Sequence, residues 1–94
     1  HNRGMYYVYL LKCADATFHV GSTYDLKTAI AQHEAGNGAR YTARRLPVHL
    51  VYVERHPAPR DALLREREIR ALPKRAREAL LTSDTNQLQH AAPR

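Results

Sequence analysis

A single cysteine, Cys13, stands among the 94 residues, so no internal disulfide can staple the fold. A reducing, cytoplasmic interior is the expected setting. Cys13 closes an apolar run and is expected to pack as a small core residue rather than act as a nucleophile. No apolar stretch approaches the ~20 residues that a membrane-spanning helix needs. The sequence has no internal repeat and no low-complexity block. No second His or Cys follows His19 at zinc spacing, which leaves no pattern for a structural zinc site. Acidic residues are scarce, with 9 Asp and Glu against 15 Lys and Arg, a formal net charge of +6 and a pI near 9.9. Such an excess suits a polyanionic partner, because each phosphate neutralised releases condensed counterions. Charge alone does not separate nucleic acid from an anionic membrane surface.

The length allows one modest core. Tyr6 to Cys13 is aromatic, β-branched and strongly apolar, which predicts a strand; Ala14 to Thr17 is a short polar link to a second strand, Phe18 to Ser22. A link that short favours an antiparallel hairpin. Asp25 offers an N-cap carboxylate to a helix running through about Ala35, and Gly36-Asn37-Gly38 stops it. Ala39 to Arg45 reads as basic and irregular. Val48 to Val53 reads as a buried strand, followed after Pro57-Ala58-Pro59 by helices over about Arg60 to Leu72 and, opened by Pro73, Lys74 to Leu81. His1-Asn2-Arg3-Gly4 reads as an expression remnant rather than a targeting signal, and residues 82–94 as a loose polar tail. The β-β-α-β-α-α order predicts an α+β fold, a three-stranded antiparallel sheet flanked by helices.

Hydrolysis of a phosphodiester needs an activated water, a metal on the phosphate, a cation for the developing charge and a proton for the leaving oxygen. Two adjacent strands can offer Tyr9 and His19. The first helix offers His33, with Ala29 one turn earlier on the same face, and the later helix offers Glu66 and Glu68. Helical periodicity does not choose between the two carboxylates. Taken singly, each residue has a plainer use: Tyr9 in packing, His33 as a surface or capping group, Glu66 in a solvated helix pair. The stretch Gly38-Ala39-Arg40-Tyr41-Thr42-Ala43-Arg44-Arg45 mixes cations with one aromatic, which suits phosphate contacts and stacking on an unpaired base.

Tyr7-Val8-Tyr9, His19-Val20-Gly21, Asp25-Leu26, His33, Gly36 to Thr42, Pro47-Val48, Leu50-Val51-Tyr52 and Arg65 to Arg70 follow one another in the order and spacing of the GIY-YIG nuclease domain. From about Tyr6 to Leu81 the chain resembles the small single-domain branch of that superfamily, related to the N-terminal nuclease domain of the excision-repair endonuclease. The resemblance places the domain at residues 5–81. It implies a mixed fold on a three-stranded antiparallel sheet and cleavage of DNA assisted by a divalent metal, Mg2+ or Mn2+. Carried over by position, Tyr9 matches the water-activating tyrosine, His33 the helix histidine that relieves it of its proton, and Glu66 the metal ligand, with Glu68 as the fallback.

Two positions depart from the pattern. His19 stands where the motif has a tyrosine, and Ala29 where it has an arginine. An imidazole can still hydrogen-bond a phosphate or water, or carry a second proton. A methyl group cannot stabilise phosphate charge, and losing one preorganised donor costs on the order of 10²–10³ in rate. Lys27, two residues from Ala29, falls on another helix face, which leaves Arg40, Arg44 and Arg45 of the basic loop as the candidate substitutes; all four, with Tyr41, are the candidate nucleic-acid contacts. The expectation is a GIY-YIG endonuclease of impaired activity, acting on single-stranded or branched DNA, with no membrane partner and no small-molecule cofactor. The alternatives are a nucleic-acid-binding module with a degenerate site and, behind it, a structural partner domain.

Overall fold

Aromatic and β-branched residues favour a pleated, half-buried surface, and the first two such runs form strands β1 (Tyr6–Lys12) and β2 (Phe18–Thr23) of a hairpin. The computed structural model describes residues 5–88; the expression-remnant reading of 1–4 falls outside them. After the hairpin come α1 (Leu26–Glu34), α2 (Arg40–Ala43), β3 (His49–His56), α3 (Pro59–Ala71) and α4 (Lys74–Leu80). The sheet is antiparallel in the order β2-β1-β3, so the most apolar strand lies in the middle. This is the expected α+β architecture.

The two faces of the sheet carry different helices. Val8, Leu10, Phe18, Val20 and Tyr52 form one buried cluster with Ala62 and Ile69 of α3. Tyr9, Leu11, Cys13, Val48 and Val53 form a second, against which Leu26 and Ile30 of α1 pack. Cys13 is therefore buried, as its apolar neighbours predicted. Asp25 caps α1 by accepting from the Thr28 amide at 3.2 Å. Gly36 follows the helix with φ 87°, a left-handed conformation that costs glycine nothing.

Three boundaries differ from the sequence reading. The basic stretch is not wholly irregular: Arg40–Ala43 closes one helical turn and buries Thr42. The third strand continues past Val53 to His56. The apolar pattern stops at Val53 because the next residue is Glu54, which is buried by pairing with Arg65 at 2.9 Å, with His56 at 2.9 Å and with the Tyr52 hydroxyl. The tail expected to be loose from Thr82 is tied down over residues 82–88. Buried Asn86 donates to the carbonyls of Val51 (3.1 Å) and Leu81 (2.9 Å) and accepts from the Val53 amide (3.3 Å). One side-chain amide thus satisfies backbone groups of edge strand β3, a device that polar composition does not reveal. Residues 89–94 of that tail lie outside the described residues.

Candidate active site

Tyr9 sits in the central strand opposite Gly21 of β2. A Cβ built on Gly21 would lie 2.4 Å from the Tyr9 hydroxyl, so the absent side chain is what lets the phenol lie across its neighbour strand. The hydroxyl meets His33 Nε2 at 3.0 Å in a buried contact. Gly38 plays the same part for the imidazole, since a Cβ there would stand 2.5 Å from His33 Nδ1. On its other side, His33 Nδ1 is 2.8 Å from Thr42 Oγ1, and that hydroxyl donates to the Ala39 carbonyl at 3.1 Å.

These bonds couple the tautomer of His33 to Thr42. With the Thr42 proton on the Ala39 carbonyl, the hydroxyl accepts toward His33. In that arrangement His33 carries its proton on Nδ1 and presents a bare Nε2 lone pair to the Tyr9 hydroxyl. Burial lowers the His33 pKa, which keeps the ring neutral and the lone pair available at neutral pH. Burial, with the negative charge of Glu66 behind it, pushes the Tyr9 phenol up to about 12.

Glu66 approaches from the other face. It stands on α3, its side chain 15% exposed, accepting from Ser22 Oγ at 2.6 Å and from Arg70. Ser22 pairs with Val8 and faces α3, whereas Tyr9 and Gly21, one residue along, face α1. The site thus forms around the free edge of β2, with the tyrosine–histidine pair on one side and the carboxylate on the other. Glu68, the fallback ligand, is 66% exposed and pairs with Arg65 at 3.1 Å, away from this edge.

His19 stands 4.8 Å from the His33 ring and 6.4 Å from the Tyr9 ring, centroid to centroid. Burial first, then the His33 ring and the Arg70 charge, bring its pKa down to about 4. It is neutral at pH 7, a hydrogen-bonding group rather than a second proton carrier. His19 lines an open cleft of about 410 Å3 with Phe18, Val20, Tyr41, Arg70 and Arg77. The Tyr41 ring lies nearly parallel to His19 at 6.3 Å, while Arg45 covers it at 3.8 Å.

The candidate cations divide. Arg45 is engaged by Asp15 at 3.0 Å and by the Tyr41 carbonyl and ring, which leaves it no freedom to replace a missing arginine. Lys27 lines a separate, apolar groove with Tyr7, Tyr24, Ile30 and Leu50. Arg40 and Arg44 are exposed. The arginines at the cleft are instead Arg70 and Arg77, which the sequence reading did not single out, nor did it single out Ser22 or the role of Thr42. Thr42 closes the Gly36–Thr42 stretch that carried part of the resemblance, and this was the one available signal.

The donor set fits a hard divalent ion. Glu66 offers a single carboxylate, and among the described residues no three His, Cys, Asp or Glu side chains gather into a ligand set. One carboxylate plus retained waters is how magnesium is commonly held, with manganese accepting similar oxygen donors.

The GIY-YIG catalytic domain model matches residues 5–79. A UPF0213 protein from Natronomonas pharaonis is 42% identical over 80 residues, spanning 85% of this chain and 94% of its own. One from Lacticaseibacillus paracasei is 51% identical over 61 residues, 65% of this chain and 68% of its own. The solution NMR structure of a UPF0213 protein from Bacillus halodurans superposes with a TM-score of 0.56 at 34% identity, over 86% of each chain. With its sheet, helices and sequence all in agreement, this chain belongs to the GIY-YIG family of nuclease domains and is similar to the small UPF0213 proteins.

Proposed function

We propose that the protein hydrolyses DNA phosphodiesters with the help of a divalent metal, Mg2+ or Mn2+, held on Glu66. The observation that carries the proposal is the Tyr9–His33 contact, 3.0 Å long, with Thr42 Oγ1 2.8 Å from the other ring nitrogen. A phenol held near 12 does not ionise by itself at neutral pH, so its proton needs a receiver in place. The bare Nε2 of His33 is that receiver, and the phenolate oxygen can then draw the proton from an attacking water. Glu66, oriented by Ser22, is the metal ligand, and His19 offers a neutral hydrogen bond to the phosphate. The bound ion would supply positive charge to the phosphate and lower the proton affinity of nearby oxygens.

The substrate is single-stranded or branched DNA, because exposed Arg40 and Arg44 with Tyr41 suit backbone contacts and unstacked bases. The setting is cytoplasmic, consistent with buried, unpaired Cys13; among the described residues no helix is long and apolar enough to cross a membrane. Ala29 favours one rival, a binding module whose catalysis has been lost.

Labelled single-stranded and branched DNA incubated with Mg2+ or Mn2+ decides between them. Cleavage by the protein, lost in Glu66→Ala, supports the nuclease. Cleavage only after Ala29→Arg identifies a disabled enzyme. Salt-sensitive binding without cleavage by either form identifies the module.

A further inference from the structure

The reaction above lacks a cation for the developing phosphate charge, since Ala29 supplies none from α1. The cleft beside His19 holds two. Arg70 closes the last turn of α3, and Arg77 is returned to the same edge by α4 after the chain breaks at Pro73. Both bonds of Arg70, to Glu66 and to the Val20 carbonyl at 3.4 Å, leave through Nη2, so its Nη1 and Nε donors are free among the described residues. Arg77 Nη1 reaches the Arg70 carbonyl at 3.5 Å, and its buried Nε has no hydrogen-bond partner among the described residues. A buried N–H without a partner is costly unless a ligand completes it. Two guanidiniums at one cleft against the single carboxylate of Glu66, which pairs with Arg70, leave one positive charge unmatched. The planar fork of arginine suits the oxygens of a phosphate.

We propose that this cleft takes one phosphate group of the nucleic-acid strand, with Arg70 and Arg77 as its ligands. Arg70 thereby provides from α3 the charge that the motif arginine would have provided from α1. The inference rests on the nuclease reading for the role of Arg70 in cleavage, but not for the anion site itself. Arg70 holds the same carboxylate that would hold a cation, so a cation on Glu66 would compete with the Arg70 ion pair and would leave the guanidinium for the phosphate.

The test is a titration of a 5'-phosphorylated dinucleotide and of inorganic phosphate into the protein, followed by heteronuclear NMR. The variants are Arg70→Ala, Arg77→Ala and Arg77→Gln, with Arg60→Ala removing equal charge about 15 Å earlier on α3. Shifts should centre on His19, Tyr41 and the Arg77 Nε–H. Dinucleotide affinity should fall at least tenfold in each Arg70 and Arg77 variant and stay unchanged in Arg60→Ala. The slope of affinity against salt should drop by about one per arginine removed. In Arg70→Ala, Mn2+ should bind Glu66 more tightly, because a competing cation is gone; a merely structural Arg70 would leave it equal or weaker. Shifts centred on Arg40 and Arg44, or unchanged affinity in the variants, would overturn the site. Binding without any cleavage supports the anion site while sinking the nuclease reading. Cleavage that is indifferent to Arg70→Ala and Arg77→Ala overturns the role of Arg70 in cleavage and leaves the nuclease reading standing.

Discussion

Replacing Thr42 by valine keeps the shape of a fully buried side chain and deletes one hydroxyl. That hydroxyl makes two bonds, from His33 Nδ1–H at 2.8 Å and to the Ala39 carbonyl at 3.1 Å. Leaving a buried donor unsatisfied costs about 1–3 kcal/mol. At ~2 kcal/mol the melting temperature of a domain this size should fall by roughly 8–16 °C. The larger consequence lies in the tautomer. With Nδ1–H no longer rewarded, the imidazole can move its proton to Nε2, where it blocks the lone pair that receives the Tyr9 proton. The same ~1–3 kcal/mol lowers the competent tautomer roughly 5- to 150-fold relative to its rival. Nitrogen-15 NMR of the histidine side chains reads this directly: His33 should show a protonated Nδ1 in the parent protein and a mixed or reversed pattern in Thr42→Val. Cleavage should fall by a comparable factor, with Thr42→Ser close to the parent. A Thr42→Val protein that keeps its Nδ1–H tautomer, or cleaves at the parent rate, would refute the relay.

Gly21→Ala should displace the Tyr9 ring, because the new methyl would meet its hydroxyl at 2.4 Å; cleavage should drop about 100-fold while stability falls by ~1–3 kcal/mol, and an intact Tyr9–His33 contact in the variant would contradict this. His19 titrates at about 4 when folded and near 6.5 when unfolded, so the unfolded chain takes the proton first. Its contribution is complete above pH 6.5 and declines as the pH falls toward 4, by about 1–2 kcal/mol after allowance for solvent screening; urea unfolding at pH 7.5 and 4.5 should show a smaller acid loss in His19→Asn, and equal losses would refute it. Glu54→Ala should cost about 3–5 kcal/mol, since it leaves the Arg65 guanidinium half-buried without its carboxylate; chemical denaturation showing under 1 kcal/mol would deny Glu54 its anchoring role.

The local pattern carried the elements well where apolar periodicity and caps agree. Tyr6–Lys12, the Asp25 cap with Gly36 behind it, and the proline-opened helices α3 and α4 follow from side-chain chemistry at short range. The pattern failed where polar groups are buried by distant partners. Glu54 hides in β3 because Arg65 reaches it from α3, and Asn86 ties the segment after α4 to β3 because two carbonyls and an amide surround it. At the candidate site, order and spacing pointed to Tyr9, His33 and Glu66, and the fold brings Tyr9 and His33 into contact. The helical wheel could not prefer Glu66 to Glu68, and only Ser22 and Arg70 on one side against open solvent on the other separate them.

What the sequence determined alone was the three strands and helices α1, α3 and α4, the excess of positive charge, and the presence of a phenol, an imidazole and an acid in a fixed order, because these depend on neighbours a few residues apart. The tertiary structure decided which partners meet the two nitrogens of His33, which carboxylate meets the edge of β2, and which arginines stand beside His19. Those outcomes depend on bonds between residues 9, 33 and 42 and between 22, 66 and 70, brought together by the packing of two helices on opposite faces of one sheet.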